Sequence, residues 1–154
     1  MITYRSLKAR LTAILKESFP GYKVHFDNVE KSDAPYFYVE MTPLKNRTFD
    51  GDGIYHDRSI VIDIQLVLPE DSHGRVNRIM LYDDSLVLDK AIRPVLYIED
   101  RAITILEADI KVHDDILHYT FDLSFTDAEM EQIEYELMEE LTLNFGKRSD
   151  MNGE

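Results

Sequence analysis

No cysteine occurs among the 154 residues, which removes a disulfide framework, a thiolate nucleophile and cysteine-ligated zinc from consideration and fits a reducing cytosol. Basic residues are scarce. Seventeen Lys and Arg stand against thirty Asp and Glu, a formal net charge of −13. Such a chain resists a phosphate backbone unless its few cations gather in one patch, and no patch is visible in the sequence. The charge reads first as solubility. Long apolar runs are missing too. The longest, Ile60 to Leu68, is interrupted by Asp63 and Gln65, and the opening MITYRSLKAR lacks the apolar core of a signal peptide. Neither secretion nor a membrane span is expected. No glycine-rich phosphate loop, His-Glu-x-x-His helix or nucleophile elbow is present.

What is present is alternation. Leu117, Tyr119, Phe121, Leu123 and Phe125 recur at every second position, with His118, Thr120, Asp122 and Ser124 between them. That is a half-buried β-strand. Leu106, Ala108, Ile110 and Val112 alternate with Glu107, Asp109 and Lys111 in the run before it, and His113-Asp114-Asp115 supplies the turn. Ala102 to Phe125 is therefore expected to form a pair of strands, and a one-residue slip would turn the whole apolar set to water. A chain of this length can close one core without staples. The expectation is an α+β fold: an antiparallel-rich mixed sheet packed against a single layer of two or three helices. One domain would cover residues 1–145, followed by a flexible polar tail at 146–154.

In chain order, Thr3 can cap a helix with Tyr4, Leu7, Leu11, Ile14 and Leu15 on one side, and Pro20-Gly21 stops it. Tyr22 to Phe26 is a short strand, and Tyr36 to about Thr42 is another, with Phe37, Val39 and Met41 on one face. SIVIDIQLVL, from Ser59, is a central strand. A helix from about Arg75 to Ile92 is expected to turn Val76, Ile79, Met80, Leu86 and Val87 inward, and Asp83-Asp84-Ser85 could break or re-cap it. Pro94 ends it, and Val95 to Ile98 then pairs back through the Glu99-Asp100 corner onto the strand that opens the Ala102 to Phe125 pair. Thr126-Asp127-Ala128-Glu129 has the spacing of a capping box before an apolar stripe of Met130, Ile133, Leu137, Met138 and Leu141. The other side of that stretch is acidic.

Three clusters test for chemistry. His113, Asp114, Asp115 and His118 include metal-ligand types, but a turn uses Asp and His118 falls on the outer face of a strand. Asp50-Gly51-Asp52-Gly53 resembles the start of a calcium loop, yet Ile54 and Val61 occupy places where oxygen ligands belong. Asp-Gly serves a tight turn instead. Asp100 with Asp109-Ile110-Lys111 superficially matches the carboxylate and lysine elements of metal-dependent nucleases. Charge alternation on a solvent face produces the same residues.

The anomaly is Thr42 to Arg58, seventeen residues between two strands that should be neighbours. Connections that long are usually functional or mobile. Phe49, Ile54 and Tyr55 lie among Lys45, Arg47, Arg58, Asp50, Asp52 and Asp57, a composition suited to a protein partner. The alternative is an extended hairpin arm bending at Asp50-Gly51, its aromatics covering the sheet edge.

Taken together, the helix ending at Phe19-Pro20, the strand PYFYVEM, the long loop closing into HDRSIVIDIQLVL, the next helix and the pair RAITILEADIKV and ILHYTFDLSF resemble tail-terminator proteins of long-tailed bacteriophages and prophages. The resemblance implies a structural protein and not an enzyme, with no cofactor and no metal. It implies a homo-hexameric ring that caps the last ring of tail-tube protein, ends polymerisation and offers a surface to the head-tail connector. DNA would pass through without specific binding. The location implied is the head-proximal end of the virion tail, after assembly in the bacterial host cytoplasm. On that reading, Arg47, Phe49, Asp52, Tyr55 and Arg58 are expected to contact the tube or a neighbouring subunit. The rival readings are a head-tail connector or completion protein and, in a different class, the nuclease.

Overall fold

A computed structural model describes residues 1–27, 33–49, 51 and 53–128. Its elements are α1 (Tyr4–Ser18), β1 (Lys23–His25), β2 (Tyr36–Thr48), β3 (Tyr55–Val67), α2 (Arg78–Ile92), β4 (Val95–Ile98), β5 (Arg101–Thr104), β6 (Asp109–His113) and β7 (Ile116–Ala128). Five strands form one sheet in the order β1-β2-β3-β7-β6. Only β1 and β2 run parallel; the other pairs are antiparallel. The architecture is the expected α+β one, with both described helices in a common core against one face of the sheet.

Local chemistry sets α1. The Thr3 hydroxyl accepts from the Ser6 amide at 3.1 Å and the Ser6 hydroxyl accepts from the Thr3 amide at 3.1 Å, which satisfies two free donors of the first turn. Leu7, Leu11, Ile14 and Leu15 are buried on the side facing the sheet. Phe19, just past the helix, packs edge-on against Phe37 of β2 with ring centres 4.9 Å apart.

The expected pairing of β6 with β7 is present. Asp114 and Asp115 form a two-residue turn with φ of 51° and 61°, the left-handed backbone that a tight hairpin requires. Leu117, Tyr119, Phe121, Leu123 and Phe125 are all buried, at roughly 1.5–3 kcal/mol each as an upper bound. The run before the turn departs from expectation. It is two strands: β5 pairs back onto β4 as expected, but in a separate two-stranded sheet, and the chain leaves extended pairing before β6 begins. Backbone capture explains the break, since Ile105 donates to Pro94 O at 2.8 Å and Arg93 Nη1 donates to Leu106 O at 2.8 Å. Leu106 is left 85% exposed.

α2 also corrects the sequence reading. It begins after Asn77, whose side chain accepts from the Met80 amide, and it runs unbroken through Asp83-Asp84-Ser85. Its buried residues are Leu81, Ser85, Leu88 and Ile92; Ile79, Met80, Leu86 and Val87 point outward, whereas Val76, which precedes the helix, packs against the core as expected. Two tyrosines draw the polar residues inward. Tyr22 donates to Asp84 at 3.1 Å and Tyr119 donates to Asp89 at 2.8 Å. Burial, then Asp84, pushes the Tyr22 phenol up to about 12. Burial and Asp89 likewise hold the Tyr119 phenol above its ordinary range.

Thr126 to Ala128 are the end of β7, not a helix cap. The Thr126 hydroxyl donates to Asp57 at 2.6 Å across the ladder. The apolar stripe from Met130 to Leu141 and the tail at 146–154 lie outside the described residues.

Candidate assembly surface

The segment from Thr42 to Arg58 is a hairpin arm for most of its length. After a bulge between Pro43 and Lys45, β2 and β3 stay paired through Asn46↔Arg58, Arg47↔Asp57 and Thr48↔His56. The Phe49 amide then donates to Tyr55 O at 2.9 Å. β7 follows on the other side as far as Tyr55↔Ala128, so the arm is three strands wide along its paired length. Gly53, at φ 68°, takes a backbone conformation that resists a side chain.

The arm's apolar residues do not cover the sheet edge. Phe49 is 69% and Tyr55 48% exposed, and Leu44 and Ile54 are exposed as well. Arg47 is exposed beside them. Asp52 and Asp50 lie outside the described residues.

Arg58 has a different position from the other expected contact residues. Its Nη1 donates to Ile2 O at 2.6 Å and to Asp127 Oδ2 at 3.1 Å, and its side chain is only 13% exposed. The guanidinium lies over the rings of Tyr4 and Phe125, at 5.3 and 5.5 Å from their centres. Asp127 is nearly sealed and also accepts from Arg101 Nη1 and from the Ile2 amide, at 3.3 Å to Oδ2. Arg101 Nη2 donates to Thr126 O at 2.8 Å. This cluster ties the chain start, β3, β5 and the end of β7 together at the arm's root. Asp127 was invisible as a hub in the sequence, because all its partners are distant along the chain.

A second outward surface lies on α2. Ile79, Tyr82 and Leu86 share one stripe at helical spacing, with Ile79 71% and Leu86 62% exposed, and Met80 and Val87 flank it. The signal was present in the sequence as two apolar stripes on one helix, this one and Leu81-Leu88-Ile92. A helix apolar on two sides needs two partners.

The residues that suggested chemistry are dispersed. Asp100 sits in the β4–β5 turn, whereas Asp109 and Lys111 lie on β6 in the other sheet. His118 Nδ1 is 3.1 Å from Asp63 Oδ2, and Asp63 also accepts from Thr120 at 3.1 Å and Gln65 at 3.0 Å on the outer sheet face. Asp115 pairs with Arg78 at 3.0 Å. Among the described residues no three His, Asp or Glu side chains are grouped to hold a metal ion.

A sequence model of the phage tail terminator protein family matches residues 6–141. The chain belongs to that family. It is a structural component of the phage tail. No curated protein matches it. One solved structure shares 15% identity over 85% of this chain and 99% of its own, with a TM-score of 0.47, a likeness too distant to carry a role across.

Proposed function

We propose that this tail terminator closes into a homo-hexameric ring on the last ring of tail-tube protein, ends its polymerisation and presents its other face to the head-tail connector. The carrying observation is the hairpin arm, which leaves Phe49 and Tyr55 in water at the end of a braced ladder. Large apolar side chains held on a stiff support lose little entropy on binding, so they make effective anchors. Arg47, Phe49, Asp52 and Tyr55 contact the tube or the neighbouring subunit. Arg58 acts one step back, holding the arm's root through Asp127. The outward stripe of α2 buries against the adjacent copy, as a closed ring demands a heterologous contact between two different patches. The acidic surplus lets DNA pass the ring without adhering.

Purified protein mixed with tail-tube subunits tests this by electron microscopy and light scattering. Rings and capped tubes of limited length are expected. Deleting Phe49 to Tyr55 is expected to abolish capping while the melting temperature stays nearly unchanged. A protein that remains single and leaves tube growth unaffected overturns the reading.

A further inference from the structure

Two hydrogen bonds hold Leu106 out into water. Ile105 N donates to Pro94 O and Arg93 Nη1 donates to Leu106 O, so the chain between β5 and β6 is fixed while the leucine side chain stays 85% exposed. A side chain held this way loses little freedom when another surface covers it. It borders a recess of about 260 Å³ beside β7, just past the last β6 rung at Asp109↔Thr120. Glu107, Asp109 and Asp122 line this recess, all exposed, with Thr120 and Ser124 among them. Among the described residues no Lys or Arg lines it.

The other edge of the arm has the opposite charge. β1 pairs with β2 only from Tyr36 to Tyr38, so among the described residues Leu44 to Thr48 form a bare edge. Lys45 and Arg47 stand opposite Ser59 and Asp57, which in turn stand opposite Ser124 and Thr126. Side chains alternate along a strand, so both cations share a sheet face with Asp122. They are exposed, Leu44 beside them is 58% exposed, and Asp57 accepts from the Thr126 hydroxyl at 2.6 Å. Within one copy β2 and β7 are two strand spacings apart, about 10 Å. Among the described residues no ion pair joins these cations to the recess.

We propose that the arm edge of one copy, Leu44, Lys45 and Arg47, docks in the Leu106 recess of the next copy, with the cations on Glu107, Asp109 and Asp122 and leucine against leucine. This contact rests on the proposed ring and names two of its mating faces. A ring closes only through two different patches, and these lie at opposite edges of one sheet with opposite charge. Charge decides which edge meets which, and the leucines supply apolar burial.

Charge exchange in the full chain tests it. An arm variant, Lys45→Glu with Arg47→Glu, and a recess variant, Glu107→Lys with Asp122→Lys, are each expected to raise the concentration needed for assembly at least about tenfold in sedimentation velocity. Mixed in equal amounts, they are expected to assemble again near the wild-type concentration, because each arm then finds a recess of opposite charge. Only rings with an even number of copies can form from that mixture. Arg47→Glu against Asp122→Lys repeats the exchange with one substitution per chain, and circular dichroism confirms that each variant is folded. Variants that assemble like the wild type, even if they no longer cap tubes, would overturn this contact alone, as would a mixture no better than its parts. A wild-type chain that stays single would overturn the ring and this contact with it.

Discussion

The two halves of the β2–β3 hairpin share one ladder but have opposite fates. In the inner half, Phe37, Val39, Ile60, Ile62, Ile64 and Leu66 are buried under the helices; in the outer half, Leu44, Phe49 and Tyr55 stand in water. Backbone pairing is continuous across both apart from the bulge at Pro43, so hydrogen bonding does not distinguish them. Coverage does. The inner half is stabilised by burial, and the outer half is held up by its neighbours in the ladder and by the Arg58–Asp127–Arg101 cluster at its root. An element can thus be well formed while its side chains remain available to another molecule.

The sharpest way to break this comparison is at the root. Asp127→Ala leaves two arginines without their shared carboxylate, one of them well buried, and is expected to destabilise the fold by about 3–5 kcal/mol, read from denaturant unfolding. A loss below about 1 kcal/mol would mean the arm stands without that cluster. Next in size is Ile62→Ala in the inner half, expected at about 2–4 kcal/mol through the cavity it opens. Tyr119→Phe removes the bond to Asp89 and is expected to lower stability by about 1 kcal/mol, with the helix content of the native state unchanged.

Alkaline pH probes the covered side alone, through Tyr22, whose ring packs 5.7 Å from that of Phe37. Tyr22 has its phenol raised from 10.0 to about 12 in the folded protein, by burial first and by Asp84 second. A raised folded value favours the protonated phenol, so its contribution is fully present below pH 10 and disappears as pH rises through about 12. Tyr22→Phe is expected to flatten the fall in melting temperature across that window. An unchanged slope would show that another group governs it. The smallest effect is expected in the outer half: Phe49→Ser and Tyr55→Ser should each change stability by less than about 0.5 kcal/mol, while tube capping is lost. A fall comparable to that of Ile62→Ala would place these rings in the core.

Much of this was legible beforehand, for reasons that differ by element. The Thr3 cap and the Asp114-Asp115 turn rest on contacts between near neighbours, and the run from Leu117 to Phe125 shows its inward face by period-two alternation, all of which local sequence encodes. The arm was half legible: seventeen residues marked it as unusual, but the register that turns loop into ladder depends on β3 being flanked by β7. α2 was misread because apolar residues occupy both of its sides, and composition alone cannot say which side meets the sheet.

By itself the sequence determined the alternation of the strands, the cap and turns, and the acidic balance, since these depend on residue type and spacing within a few positions. Only the tertiary structure decided that Arg58 braces and Arg47 projects, that Asp84 and Asp89 face inward toward tyrosines, and that Ile79 and Leu86 are left outside. Each of those outcomes is a competition for partners far apart in the chain, settled by which surfaces the fold brings within a few ångströms of one another.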